Sequence, residues 1–516
     1  MMNKNYFNFT AGILVSAFVL VSCNKDDAPD TPAQEPGSEQ VFTFFKEINA
    51  VPRPSRHEEK MREYLKNFAS VRGLRCTEES GNIIIYKDAS KGMESAPGIC
   101  LQTHMDMVCA AAEGYEIDFL TQGIEQEVEG DIIHSKEHKT SLGADDGIGM
   151  SMVLSVLDNS KVVHGPLECL FTWNEEDGMD GAEAFPTGVL NSSYFINVDG
   201  EDEGMMCVGT AGGVVLELEL DAALTVVPSG FTAMKLLVNG LSGGHSGLMI
   251  TLGGANANKV LGNFLGAYEG AFRLAGFQGG TFTNVIASSA QCLIVVPEAE
   301  KTTLEQQFLE YMAKVKIQYA ATDPEMNYAA SQVALPSSCL SEADSKLIAE
   351  GLAKAPHGVT EWSTTISGAF ENSLNLGIVK MENGKIEADY FVRGFTKSKM
   401  DALAEVVENA WKVGASAVSC EHTGAYSAWN PSPDTPFFAY AQRIYRERFG
   451  KELVLLKVGA GLELSQFSEK YPDMQFITIG PTIHDAHTVN ESLEISSVKA
   501  CWKYLLAMLK EILLFV

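Results

Sequence analysis

The chain reads as an α/β protein in which a mostly parallel sheet forms one domain and an inserted α+β region interrupts it. Three observations point there. Short apolar runs that suit buried strands alternate with helical patterns, as in successive βαβ units. Imidazole and carboxylate residues stand just past the ends of those runs, where open parallel sheets place their sites. Between about 213 and 427 this rhythm gives way to alternating strands and glycine-rich loops, and then it resumes. With 516 residues the chain exceeds what one core accommodates, so more than one domain is expected.

The amino-terminal stretch reads as an address. Lys4 is the early positive charge and Tyr6 to Ser22 carries no charged residue, the pattern of a secretory leader. Leu20-Val21-Ser22-Cys23 resembles a bacterial lipobox, so residues 1–22 are expected to be a signal peptide and Cys23 the lipidated residue. Residues 23–40, rich in Asp, Pro, Gln and Glu, suit a flexible tether. The implied protein is exported and outer-membrane anchored, facing periplasm or cell surface, with membrane contact only through the lipid. A membrane-spanning reading is weaker, because the run is short for a span.

Helical spacing of Phe44, Phe45 and Ile48 predicts a first helix, broken at Val51-Pro52-Arg53-Pro54. Ser55 with Glu58 forms the pattern of a capping box opening a helix through Met61, Tyr64, Leu65 and Phe68. His57 begins a zincin-like motif that lacks its second histidine, and is read as a surface residue. Strands are expected at 82–87, 98–102, 166–173 and 194–198, with a helix over 148–157. The inserted region carries strands at 215–220, 232–238, 292–296, 377–380 and 388–392, and helices at 255–271, 304–315 and 399–413. Helix 437–449, strand 476–479 and an amphipathic helix over 496–514 complete the first domain.

Composition excludes some functions. A net charge of −29 argues against nucleic acid or anionic lipid as partner, since phosphate binding needs a basic surface. Nine cysteines follow Cys23 without a Cys-x-x-Cys pair, which argues against zinc knuckles and thioredoxin-like motifs. Cys100, Cys169 and Cys292 lie in apolar strands as core thiols.

The chemistry gathers around Gly143-Ala144-Asp145-Asp146-Gly147. One carboxylate can hold two divalent cations, one per oxygen, and Asp145 is the candidate bridge. A plain alternative is a Gly-Asp turn with Asp146 as the N-cap of the following helix. His104, Glu176, Asp199 and His487 stand at other strand ends or loops. Imidazole with carboxylate suits zinc, manganese or cobalt rather than calcium. Asp106, two residues past His104 on the same side of a strand, is placed to orient that imidazole.

The residues Pro52-Arg-Pro-Ser-Arg-His-Glu-Glu59, Leu101-Gln-Thr-His-Met-Asp-Met-Val-Cys109, Leu142-Gly-Ala-Asp-Asp-Gly-Ile-Gly149, His164-Gly-Pro-Leu-Glu168, Glu175-Glu-Asp-Gly-Met179, Gly243-Gly-His-Ser-Gly247, Ser373-Leu-Asn-Leu-Gly377 and Gly480-Pro-Thr-Ile-His-Asp-Ala-His487 occur in this order. They resemble the aminoacyl-histidine dipeptidases, within the dinuclear zinc peptidases and aminoacylases. The resemblance implies two divalent ions, zinc first with manganese or cobalt as alternatives. Asp145 would bridge them, with His104 and Asp199 on one and Glu176 and His487 on the other. It further implies that Glu175 is the general base, that Asp145–Asp146 is a cis peptide, and that 213–427 is a lid between catalytic segments 41–212 and 428–516. His245 would stabilise the oxyanion, and Arg393 would hold a substrate carboxylate, its plain alternative being an exposed charge on a strand. Asn284 and Glu463, survivors of motifs otherwise altered, would line the substrate site.

The expected activity is hydrolysis of short peptides by a monomer or homodimer. An N-acyl amino acid amidohydrolase and a peptide-binding lipoprotein without turnover are the alternatives. The residues after Gly247 read Leu248-Met249-Ile250-Thr251-Leu252-Gly253-Gly254 where the resemblance predicts an acidic residue, a histidine and an arginine. Lost polar anchors imply lost discrimination, so a strong Xaa-His preference is not expected.

Overall fold

The computed structural model describes residues 35–366, 368–412, 418–432 and 434–515. Cys23, the expected leader and the expected tether up to residue 34 lie outside the described residues. Helix Glu39–Asn49 buries Val41, Phe44, Phe45 and Ile48, one stripe at helical spacing. Helix Glu59–Val71 follows, and here the capping box is not formed: Glu58 is the N-cap without a side-chain cap bond. Ser55 Oγ instead donates to Asp106 Oδ2 at 2.8 Å, and Glu58 Oε1 accepts the Arg56 and Asn174 amides at 2.8 and 3.1 Å. A tertiary carboxylate outcompetes the local cap. His57 is exposed, as expected.

An eight-stranded sheet carries one large apolar core. Its central strands Leu167–Thr172, Ile99–His104, Tyr194–Asn197 and Gln475–Thr478 run parallel in that spatial order. All four are buried almost throughout, which explains why they read as continuous apolar runs rather than alternating ones. Antiparallel strands Asn82–Lys87 and Arg75–Glu79 extend one side. On the other, Met205–Thr210 pairs parallel with Val454–Val458, a half-buried strand that is not among those expected from sequence. Helix Ala144–Asp158 is buried on every face from Ala144 to Leu157.

The inserted region forms a separate nine-stranded sheet whose described pairings are all antiparallel. Its two α+β halves join where Arg273–Gly279 pairs with Phe370–Glu382, making one continuous sheet. Helices Ala257–Ala267, Lys301–Gln318, Glu342–Lys354 and Lys397–Trp411 share its apolar core, which is distinct from the core of the parallel sheet. A small four-stranded sheet joins Gln126–Glu129 and Ile132–Ser135 to Ile483–His484 and Ser492–Glu494. The loop between its last two strands carries His487. The nine described cysteines are all free, and Cys100, Cys169 and Cys292 are buried.

Candidate metal centre

The parallel strands converge their carboxyl ends on one cluster. His104 is the last residue of its strand, Glu175 and Glu176 follow Thr172, and Asp199 follows Asn197. Asp145 faces them from the start of the buried helix, and its peptide bond to Asp146 is cis. Its two oxygens address different imidazoles: Oδ1 lies 3.0 Å from His104 Nε2, and Oδ2 lies 2.9 Å from His487 Nε2. His104 Nε2 is 3.4 Å from Asp199 Oδ1, and His487 Nε2 is 3.0 Å from Glu176 Oε2. Two donor groups of metal-ligating size therefore share Asp145: His104 with Asp199, and Glu176 with His487. Glu175 forms a further group with His104 and Glu176, so proximity alone does not separate its role from theirs.

Two buried charges hold Asp145 in place. Glu491 accepts four consecutive amides, Leu142 and Gly143 on Oε2 at 2.8 and 3.0 Å, Ala144 and Asp145 on Oε1 at 2.7 and 3.3 Å. From the opposite side Arg53 donates to the Gly143 and Asp106 carbonyls, both at 2.5 Å, and to Met105 O at 3.3 Å. Gly143 has φ +72°, and a β-carbon there would stand 2.7 Å from the Arg53 guanidinium. At Gly149 a β-carbon would strike Asp146 Oδ1 and Val198 O. Both glycines serve close approach around the cluster. Asp146 fulfils the plain reading as well: its Oδ1 accepts the Gly149 amide at 3.1 Å, a cap, while Oδ2 accepts the His104 amide at 3.3 Å.

Asp106 stands behind His104, its Oδ1 3.4 Å from Nδ1 and off hydrogen-bond geometry. It also accepts the Glu175 and Glu176 amides, at 3.0 and 3.2 Å, and so fixes the acidic loop against the strand that carries His104. Asn174 and His487 adopt left-handed backbone, with φ of 52° and 67°, a region that asparagine and histidine enter more readily than most residues.

Crowded carboxylates favour protons. Burial pushes Asp199 up to about 6 and raises Glu175 well above the usual range, with Glu176, Asp199 and Glu463 adding to it. Bonds to Asp145 and Glu176 raise His487 to about 11. Asp145 is held low, its burial outweighed by hydrogen bonds from both imidazoles. Cations answer the same demand as those protons, and Glu176 Oε1 is a buried acceptor with no protein donor. The donor set fits divalent metal.

Of the residues expected at the substrate site, His245, Asn284 and Arg393 belong to the inserted region and Glu463 to the segment that follows it. His245 caps the short helix Ser246–Met249 and is lowered to about 4, by burial first and then by the charges of Arg393 and His487. Arg393 is buried rather than an exposed strand charge. Its Nη1 donates to Tyr426 Oη at 2.6 Å and to Gly459 O at 3.2 Å. Glu463 is buried beneath the cluster, where Oε2 accepts from Gln102 Nε2 and Thr172 Oγ1, both at 2.7 Å, and Oε1 has no partner. Burial pushes it up to about 8. The Asn284 side chain is exposed, and its backbone carbonyl accepts the Ser246 amide at 2.8 Å. Sequence reasoning gives no role to Glu491, Arg53 or Tyr426, and gives Ser55 only a local cap that is not formed. Their bonds go to backbone or to distant side chains, and no spacing signals them.

Fold and donor cluster together define a metallohydrolase of the α/β type. The chain belongs to peptidase family M20/M25/M40, whose model matches residues 100–511, and it is a metallopeptidase. It is 35% identical over 475 residues to the cytosol non-specific dipeptidase of Escherichia coli strain K12, covering 92% of this chain and 97% of that one. Among solved structures, aminoacylhistidine dipeptidase from Vibrio alginolyticus superposes with a TM-score of 0.82 at 33% identity, covering 91% of this chain and 96% of that one. Aminopeptidase PepT from Bacillus cereus shares the fold at 16% identity, TM-score 0.54, covering 92% and 98%.

The family resemblance is thus borne out, while the expected address is corrected. The Escherichia coli relative is by name a cytosol protein, which overturns the exported, outer-membrane lipoprotein with a signal peptide and a lipid anchor at Cys23. An uncharged run before a cysteine meets a compositional rule, but export is decided by a receptor reading the chain, and composition imitates that signal. Among the described residues no helix is long and apolar enough to cross a membrane.

Proposed function

We propose that this metallopeptidase is a dipeptidase with two divalent ions sharing Asp145, hydrolysing short peptides without strong preference for Xaa-His. The observation that carries the reading is the pair of imidazoles facing opposite oxygens of Asp145, at 3.0 and 2.9 Å. His104 and Asp199 would hold one ion, Glu176 and His487 the other, with zinc first and manganese or cobalt as alternatives. When bound, the ions polarise water and the scissile carbonyl. Residues 41–212 and 428–516 form the catalytic domain in this reading and 213–427 the lid, a division supported by two separate cores.

Glu175 takes the proton from the attacking water on its carboxylate and delivers it to the leaving amine. Its carboxylate stands in one donor group with His104 and Glu176, within reach of the reacting water in this reading. Asp106 positions it through the Glu175 amide. His245 donates to the developing oxyanion, and the Arg393 guanidinium pairs with the substrate carboxylate. Glu463 offers its unpartnered Oε1 to a substrate N–H, and Asn284 lines the entrance.

Relaxed specificity is supported by the name of the Escherichia coli relative, a non-specific dipeptidase, and by the apolar run after Gly247. A panel of dipeptides, a tripeptide and an N-acetyl amino acid, assayed with zinc, manganese or cobalt, tests it. Turnover spread across dipeptides is expected. A specificity constant a hundredfold higher for Xaa-His substrates, or turnover confined to the N-acetyl amino acid, contradicts it.

A further inference from the structure

A second mixed donor set lies on the inserted sheet. Glu408 sits in the last turn of helix Lys397–Trp411, and Cys420 and His422 sit two apart on strand Ser419–Tyr426, hence on the same side. One donor atom from each, Glu408 carboxylate, Cys420 Sγ and His422 ring nitrogen, fall within 4.8 Å of one another. His422 Nε2 is 2.9 Å from Glu408 Oε1. The strand pairs with Gly212–Asp221 and stands last in the sheet order, and Cys420 packs against the apolar core beneath the helix.

We propose that Glu408, Cys420 and His422 form a binding site for a single zinc-class divalent ion, separate from the cluster at Asp145. The plain reading is an exposed ion pair beside a core thiol, and such a pair contributes little, about 0 to 1 kcal/mol. The Cys420 sulfur adds a third donor on the same side of the strand as His422. Thiolate, imidazole and carboxylate are the ligands that zinc combines, with water completing a tetrahedron. Burial and then Glu408 push the Cys420 thiol up to about 11, so binding releases its proton to solvent as the sulfur–metal bond forms. Metal here clips the end of a helix to an edge strand. That strand ends on Tyr426, the residue that holds Arg393, so the clip steadies the part of the inserted region nearest the substrate.

Cobalt distinguishes this site from the catalytic one, because the Asp145 cluster offers only nitrogen and oxygen donors. The full-length protein titrated with cobalt is expected to develop a thiolate-to-cobalt charge-transfer band. The band should vanish in Cys420→Ser, weaken in His422→Gln and persist in Cys109→Ser, a control for the partly exposed thiol nearer the catalytic cluster. Elemental analysis of zinc-saturated protein should find one ion fewer per chain in Cys420→Ser, with peptide hydrolysis retained. No band at saturating cobalt, or a band that survives Cys420→Ser, overturns the proposal.

Discussion

Glu491 accepts the backbone amide of Asp145 at 3.3 Å, together with the three amides before it, so a buried carboxylate four residues past His487 holds the loop that presents Asp145. One short loop thus supplies both a candidate ligand and the brace for its neighbour. Glu491→Gln replaces one acceptor oxygen with a donor facing amides that also donate. Metal affinity should fall by about 10- to 100-fold, the usual effect of disturbing a ligand's support. Competition with a chromogenic chelator measures this, and wild-type affinity in the variant would remove Glu491 from the account.

Arg53 braces the same loop from the other side. Arg53→Met leaves the carbonyls of Met105, Asp106 and Gly143 without this donor, and a loss on the order of 3 kcal/mol is expected. The urea midpoint of metal-free protein should drop accordingly. An unchanged midpoint would mean that water or a neighbour satisfies those carbonyls.

Adjacent glutamates should separate by readout. Glu175→Gln should keep metal while turnover falls by about 10² to 10⁴, whereas Glu176→Gln should lose metal as well. Parallel behaviour of the two variants would show the roles to be wrongly divided, since Glu175 also stands in one donor group with His104 and Glu176.

Arg393 gives a substrate test. If its guanidinium pairs with the peptide carboxylate, Arg393→Met should raise KM for free dipeptides and leave aminoacyl amides, which lack that carboxylate, little changed. An equal rise for both would reduce Arg393 to packing against Phe391 and Tyr426.

What the sequence disclosed follows from how each contact is encoded. The strands ending at His104, Thr172 and Asn197 were legible because burial on both faces writes continuous apolar runs, and the polar residues after them stand out against that background. Val454–Val458 is apolar except for Lys457, but it ends on Gly459-Ala460-Gly461 rather than on the polar residues that mark the other strand ends. Ser55 and Glu58 matched a local capping rule, yet Ser55 bonds to Asp106, far along the chain. Glu491 and Arg53 act on backbone carbonyls and amides, which any residue supplies, so nothing in the partner sequence marks them. Arg393 was placed by resemblance, but its burial and its bond to Tyr426 depend on a strand pairing that only the fold supplies.

The sharing of Asp145 by two ions is the claim on which the rest depends. Cys420→Ser protein, stripped by chelator and titrated with zinc, should regain dipeptide hydrolysis up to a plateau at two ions per chain, one for each donor group on Asp145. Asp145→Ala should bind neither tightly. A plateau at one ion per chain, or hydrolysis that survives stripping, would contradict it.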